Sequence, residues 1–404
     1  MEFQPRSYDA IVQLMRKGVG MPNPLTLDIG PEVDVERISG EGVTLYPGCR
    51  IYGAKTVISA GVKLGAEAPV TMDDCRLGPK VELKGGYFKK SVFLEKANLG
   101  SGAQVREGCL LEEEANGAHC VGLKQTILFP FVTLGSLINF CDCLMAGGTS
   151  REDHSEVGSS YVHFNYTPDG NKTTASLFGD VARGVMLNQP PIFLGGQGGS
   201  VGPLRLGYGT VVAAGSVLRD DSPGDGRLII VAPHPGSERD FVPHAYKNLA
   251  RVVANNIVYL ANLVALEQWY VHVRQRFFGA QELGSLVYEG AVETLALAKG
   301  ERTKRLVAMV EKVPAGDAAR SELKERIVEV CALFGEESAS SGGPAFFAAF
   351  QEATGGAAVD YVQTIQKLPP DVSALGVEWL LQIVESLCHR AGALLGSMHL
   401  YGED

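Results

Sequence analysis

Between residues 150 and 218 the chain gathers side chains with which a protein could move a proton or hold an anion. His154 stands in Ser150-Arg151-Glu152-Asp153-His154-Ser155, where two carboxylates precede the ring and could orient it. Histidine has an ordinary pKa near neutrality, so it can take a proton from an amine or hydroxyl as that group attacks a thioester. His163 alternates with Tyr161 and Asn165, so on an extended strand these three share one side and Val162 and Phe164 the other. That arrangement sets His163 beside Asn165, on a side that can meet a ligand. The blander reading of both histidines is a structural hydrogen bond. Asp153 and Arg183 are the charged groups that could meet a substrate. Arg183 follows Asp180 and precedes Gly184, which also suits a salt bridge at a coil end, the preferred account. The glycines at 195, 196, 198 and 199 lack the Gly-Lys-Ser/Thr of a phosphate loop, so a turn against a neighbouring subunit is expected there.

The whole chain bounds what such a site could serve. Its 404 residues, 45% hydrophobic and 20% charged, can bury a full core in two or three domains. Forty-nine glycines are too many for a helical protein, and no Gly-X-Y period points to collagen. A formal net charge of -10 argues against nucleic acid, whose phosphates need a basic face. No apolar run reads as reaching the roughly 20 residues of a membrane span. The segment MEFQPRSYDAIVQLMRKG lacks a signal-peptide core. A cytoplasmic protein with no membrane partner is therefore expected. The eight cysteines show no paired C-x-x-C framework, and Cys141 and Cys143, one residue apart, do not have a zinc-knuckle spacing. Buried structural thiols are expected, and no metal site.

The elements that must position these residues follow from periodicity. Residues 1–30 read as a short amphipathic helix, Tyr8 to Arg16, and an entry segment. From about Ile38 large apolar residues recur every six positions: Leu45, Ile51 and Val57; Leu77 and Leu83; Leu99, Val105 and Leu111. Small partners follow four positions after several of them, among them Cys49, Val81, Ala103 and Cys109. This is the hexapeptide pattern of a parallel β-helix, with three flat sides per coil, large side chains inside and small ones at the corners. It predicts a β-helix over 31–232, interrupted by a polar insert at 145–176. The run Glu112-Glu113-Glu114 is expected at a solvated corner. Beyond Pro243 the spacing changes to threes and fours, which predicts an α-helical domain over 243–404. Its helical stretches are expected at 281–298, 301–313, 317–334, 343–367 and 372–398. Trp269, Tyr270, Phe277 and Phe278 are expected in its core or at a subunit contact. The fold class is mainly β plus α, and the long apolar helix after Pro243 argues for self-association.

Residues 77–218 resemble the left-handed β-helix acetyltransferase domain of the bacterial bifunctional N-acetylglucosamine-1-phosphate uridyltransferase / glucosamine-1-phosphate N-acetyltransferase family. The resemblance rests on Asn165-Tyr166 with Asp169-Gly170-Asn171-Lys172, on Val212-Ala213-Ala214-Gly215-Ser216, and on Arg106-Glu107-Gly108 upstream. It implies a left-handed coil, a homotrimer and acetyl-coenzyme A as co-substrate. It further implies coenzyme contacts at Asn165, Tyr166, Ala213 and Ala214, and a sugar-phosphate site at Arg106 and Lys124. The family's nucleotide-transfer domain has no counterpart in residues 1–40, so nucleotidyl transfer is not expected. Alignment places Ser136 and Asn139 where the family carries a histidine and a tyrosine. The functional expectation is transfer of an acyl group to an amino sugar, sugar phosphate or nucleotide sugar, with His154 or His163 as base. The competing class is a non-catalytic trimeric sugar-nucleotide-binding or scaffold protein.

Overall fold

The computed structural model describes residues 4–233, 235–335, 343–355 and 360–401. The six-residue period builds a parallel β-solenoid of about 11 turns with three faces, followed by helices. The first face runs from Thr44–Leu45 through Lys63–Leu64 and Glu82–Leu83 to Leu228–Ile229, ten short strands in parallel register. The second begins with Asp28–Ile29 and Arg50–Tyr52, the third with Val57–Ile58 and Arg76–Leu77. Two longer strands, Val121–Leu128 and Ile138–Met145, bend round a corner and serve both the second and third faces. Their bends fall at Gln125 and Asp142, both in the left-handed region with φ of 52° and 58°.

Alternation decides what each residue meets. Leu45, Leu64, Leu83 and Leu99 stack inside the first face and are fully buried. Each such side chain contributes roughly 1.5–3 kcal/mol of burial. Inside the third face the column is Ile58, Leu77, Phe93 and Leu111. Between Ile51 and Ile58 the turn from the second to the third face uses one residue more than the period, so Ile58 points inward where Val57 was expected. Val57 points outward with Arg76, Val92, Leu110, Ile127 and Leu144, and this outer column is buried as well. Arg76 apart, this stretch of the third face is thus apolar on both sides, because the helices lie on it.

The helices are α1 (Tyr8–Lys17), α2 (Val181–Gly184), α3 (Leu249–Trp269), α4 (Gln275–Phe278), α5 (Gly284–Val310), α6 (Ala318–Ala332), α7 (Gly343–Thr354), α8 (Tyr361–Gln366) and α9 (Pro370–Leu394). Helix α1 buries Ile11 and Leu14. A π-helical turn, Tyr270–Arg274, joins α3 to α4. The expected break near Gly300 does not occur: α5 runs through it, at the cost of about 1 kcal/mol that a mid-helix glycine carries. Part of the expected stretch 343–367, namely 356–359, lies outside the described residues.

Leu249–Phe278 is long and apolar enough to cross a membrane by composition, with a mean hydropathy of 1.5 over an 18-residue stretch, which corrects the expectation of no such run. Of that 18-residue stretch, 78% is buried inside the protein, and the helix packs against α5 and α9. The chain itself therefore covers the face that had argued for self-association. Trp269, Tyr270, Phe277 and Phe278 are core residues.

Charged contacts fasten the helices along the solenoid. Ser39 Oγ donates to Glu282 at 2.5 Å, Lys55 pairs with Glu293 at 3.0 Å, and Arg76 donates to the Leu286 carbonyl at 2.6 Å. Near the far end, Arg251 pairs with Asp221 at 2.9 Å. Glu112 and Glu113 do not form the expected solvated corner. The Tyr270 hydroxyl donates to Glu112 at 2.5 Å, and Arg274 pairs with Glu112 at 3.2 Å and also with Glu113. Burial pushes the Glu112 carboxyl up to about 7 and Glu113 upward too, against the pull of Arg274.

Candidate functional site

Strand pairing brings part of the expected site onto one face. Val105 pairs with Leu123, Lys124 with Cys141, and Asn139 with Val162. Arg106, Lys124, Cys141 and Phe164 therefore point outward on four successive rungs of the second face, about 4.8 Å apart. Lys124 pairs with Glu107 at 2.7 Å. Burial pushes the Cys141 thiol up to about 11, so it stays protonated and is no nucleophile. Phe164 lies over Gly199, where an added Cβ would come within 2.8 Å of its ring.

Just past Phe164 the chain leaves the solenoid at the corner shared by the second and third faces. Asn165 Nδ2 donates to Asp142 Oδ2 at 2.7 Å, directly at the bend of the coil below. Tyr166 stands out, 62% exposed. Asn171 Oδ1 accepts from the Thr173 hydroxyl at 2.7 Å and closes the loop. A projecting aromatic ring, a fixed carboxamide and a row bearing Arg106 and Lys124 are groups that can hold an extended anionic ligand.

The two histidines are placed differently from expectation. The side that His163 shares with Tyr161 is the interior, and His163 is 1% exposed, edge-on to Phe140 and Phe178. Its Nε2 lies 2.7 Å from Ser176 Oγ, and burial lowers its pKa to about 4. Asn165 escapes this alternation because the strand ends at Phe164. His154 lies at another corner, between the third and first faces. Its Nδ1 is 2.8 Å from the Arg151 carbonyl. A carbonyl only accepts, so Nδ1 carries the proton and Nε2 is left as the basic nitrogen. That nitrogen faces Glu156 at 3.7 Å. Asp153 does not orient the ring; it accepts from the Thr149 hydroxyl at 2.8 Å.

Ala213 and Ala214 turn the corner between the first and second faces, so closely over Gly195 that a Cβ there would come within 2.4 Å of the Ala214 nitrogen. They lie across the width of the second face from Asn165 and Tyr166. Gly196 packs in the same way on Ser159, so the glycine-rich turn serves close stacking of coils. Arg183 caps nothing beyond its own end of the solenoid: it pairs with Asp180 at 2.7 Å and Asp225 at 2.5 Å.

One residue escaped the reading of the sequence. His119 stands exposed, its Nδ1 3.0 Å from Ser136 Oγ, on the coil next to the position where alignment places the family's histidine. The signal was the coil length: positions 17 apart, 119 and 136, sit one above the other.

No protein-family model matches the chain. It is similar to the bifunctional protein GlmU of several bacteria: 27% identical over 217 residues to that of Fervidobacterium nodosum, covering 53% of this chain and 42% of that one. The protein from Carboxydothermus hydrogenoformans is 26% identical over 229 residues, 57% of this chain and 46% of its own. That from Clavibacter sepedonicus is 28% identical over 201 residues, 50% and 36%. The chain spans less than half the length of these curated relatives. With the solenoid, the similarity supports the resemblance to the left-handed β-helix acetyltransferase domain.

Proposed function

We propose that this chain transfers an acyl group from acyl-coenzyme A, acetyl-coenzyme A first among them, to an amine or hydroxyl of an amino sugar, sugar phosphate or nucleotide sugar. The observation that carries it is the outward row Arg106, Lys124, Cys141 and Phe164 leading into the fixed Asn165–Tyr166 loop. Tyr166 and Asn165 would hold the coenzyme, Ala213 and Ala214 would pack along its pantetheine, and Arg106 and Lys124 would receive the acceptor's phosphate. His154 Nε2 would take the acceptor's proton as its nitrogen or oxygen attacks the thioester carbon and the coenzyme leaves as thiolate. Within one protomer His154 and Asn165 stand at different corners, so the site is assembled between copies of a cytoplasmic homotrimer, without nucleic acid or membrane. His163, enclosed in the core, has a structural role.

The same separation of corners favours a second reading, a non-catalytic trimer that binds a sugar nucleotide. Calorimetric titration with acetyl-coenzyme A and steady-state kinetics on amino-sugar acceptors discriminate the two. Tyr166→Ala is expected to weaken coenzyme binding about tenfold. His154→Ala is expected to cost 10²–10⁴ in turnover, with binding nearly intact. Full turnover in both His154→Ala and His119→Ala would remove the histidine base from the mechanism. A wild-type protein that does not bind the coenzyme would leave the second reading.

A further inference from the structure

The loop from Asn165 to Thr173 is not held by the solenoid alone. On its far side every anchor comes from the helical region. Arg302, on α5, donates from Nη2 to Asp142 Oδ1 at 2.6 Å, while Asp142 Oδ2 accepts from Asn165 at 2.7 Å. The same guanidinium donates from Nη1 to the Lys172 carbonyl at 3.4 Å. One side chain therefore ties both ends of the loop, the first through Asp142 and the second directly. Arg302 and Asp142 are 3% and 5% exposed, so the pair is shielded from solvent and its geometry is fixed. Further anchors follow around the loop. The His244 backbone nitrogen donates to Asp169 at 2.5 Å, Lys312 Nζ to the Gly170 carbonyl at 2.7 Å, and Asn256 Nδ2 to the Thr173 carbonyl at 3.0 Å. The Thr173 hydroxyl also meets the Met309 sulfur at 3.3 Å.

We infer that the helical region is a clamp that sets the conformation of the ligand loop, with Arg302 as its positioning residue. Resting on the coenzyme-binding reading, this gives the C-terminal helices a role in that site. Asn165 cannot orient its own carboxamide, because it lies beyond the end of its strand. Asp142 accepts its amide hydrogen and so leaves the carboxamide oxygen turned away, toward a ligand. Asp142 in turn is buried at a coil corner, where an unpaired carboxylate is unstable; Arg302 supplies the balancing charge. The chain of command runs from α5 through one ion pair to the residue that touches the ligand.

The test uses the full chain and three variants, with two measurements on each: affinity for coenzyme A, and hydrogen exchange of the amides of 165–173. Arg302→Met is expected to weaken coenzyme A binding about tenfold and to speed exchange in the loop, with turnover at saturating coenzyme little changed. Arg302→Lys is expected to recover part of both. Lys312→Ala removes an exposed anchor, whose loss should cost little stability, and it should speed exchange around Gly170 with a smaller loss of affinity. If Tyr166→Ala weakens binding but Arg302→Met and Lys312→Ala leave affinity unchanged, the clamp is wrong, whatever the exchange shows. If the wild-type protein does not bind coenzyme A, the coenzyme reading has failed. Exchange then decides the clamp by itself: faster exchange in both variants supports it, and unchanged exchange overturns it.

Discussion

At two corners of the solenoid a buried arginine from the helical region meets acidic side chains, and the two places differ by one carboxylate. Arg302 faces Asp142 alone, which spends its other oxygen on Asn165. Arg274 faces both Glu112 and Glu113, with the Tyr270 hydroxyl on the first. The first is balanced. The second carries one negative charge too many; burial first, and the neighbouring Glu113 after it, raise the Glu112 pKa to about 7 against the pull of Arg274. A charge-balanced contact sits under the ligand loop, where a fixed geometry is useful. The unbalanced one sits away from it, where a proton can come and go without moving the loop.

Removing each arginine should separate the two places most. Arg274→Met strands two buried carboxylates and should cost about 3–5 kcal/mol at pH 8, less at pH 5. Arg302→Met leaves one, still bonded to Asn165, and should cost less. Urea unfolding at both pH values gives the order, and equal losses would erase the distinction. Next in size is Glu113→Gln, which should stabilise the protein by about 1–3 kcal/mol at pH 8 and hardly at pH 5. The sign follows from the raised pKa. Below the ordinary carboxyl value both folded and unfolded chains hold the proton. Glu113, like its neighbour Glu112, is raised by burial, so above that value the folded chain keeps the proton longer than the unfolded one and stability falls as pH rises. Asp142→Asn should instead destabilise at pH 8, since it leaves Arg302 without its counter-charge.

His163 supplies an opposite slope. Its folded pKa of about 4 lies below the ordinary histidine value, so stability present above pH 6.5 is lost as pH falls toward 4. Replacing His163 by Leu should flatten that acid limb, and an unchanged limb would mean that the ring is not buried neutral. The smallest effect is expected on the open first face. Lys63 and Glu82 pair there at 2.8 Å in solvent, and Lys63→Ala should leave the unfolding midpoint unchanged within error.

The sequence carried the solenoid because its inner columns repeat: Leu45, Leu64, Leu83 and Leu99 leave a trace that one chain suffices to read. It also held a signal for the covered third face that the six-residue period concealed. Val57-Ile58, Val92-Phe93, Leu110-Leu111, Ile127-Leu128 and Leu144-Met145 are adjacent apolar pairs on strands of one face, and neighbours in a strand point to opposite sides. Such pairs mean both sides are buried. The site was less legible. Arg106 and Lys124 could be placed from the coil length, but the direction of His163 depended on knowing which side of its strand is the interior. Asp142 and Arg302 are 160 residues apart and give no local pattern at all.

A stack of coils is ordinarily a one-dimensional object, in which each turn feels only its neighbours and the ends can fray alone. Here the helices reach the coil of Ser39 with Glu282, that of Arg76 with Leu286 and Glu293, that of Asp142 with Arg302, and that of Asp221 with Arg251. They act as a splint laid along the axis. A turn near one end cannot loosen without straining bonds made by the same helices to turns far away. Melting should therefore be collective, with amides of the first and last coils opening together, as in a compact domain and unlike a simple repeat array.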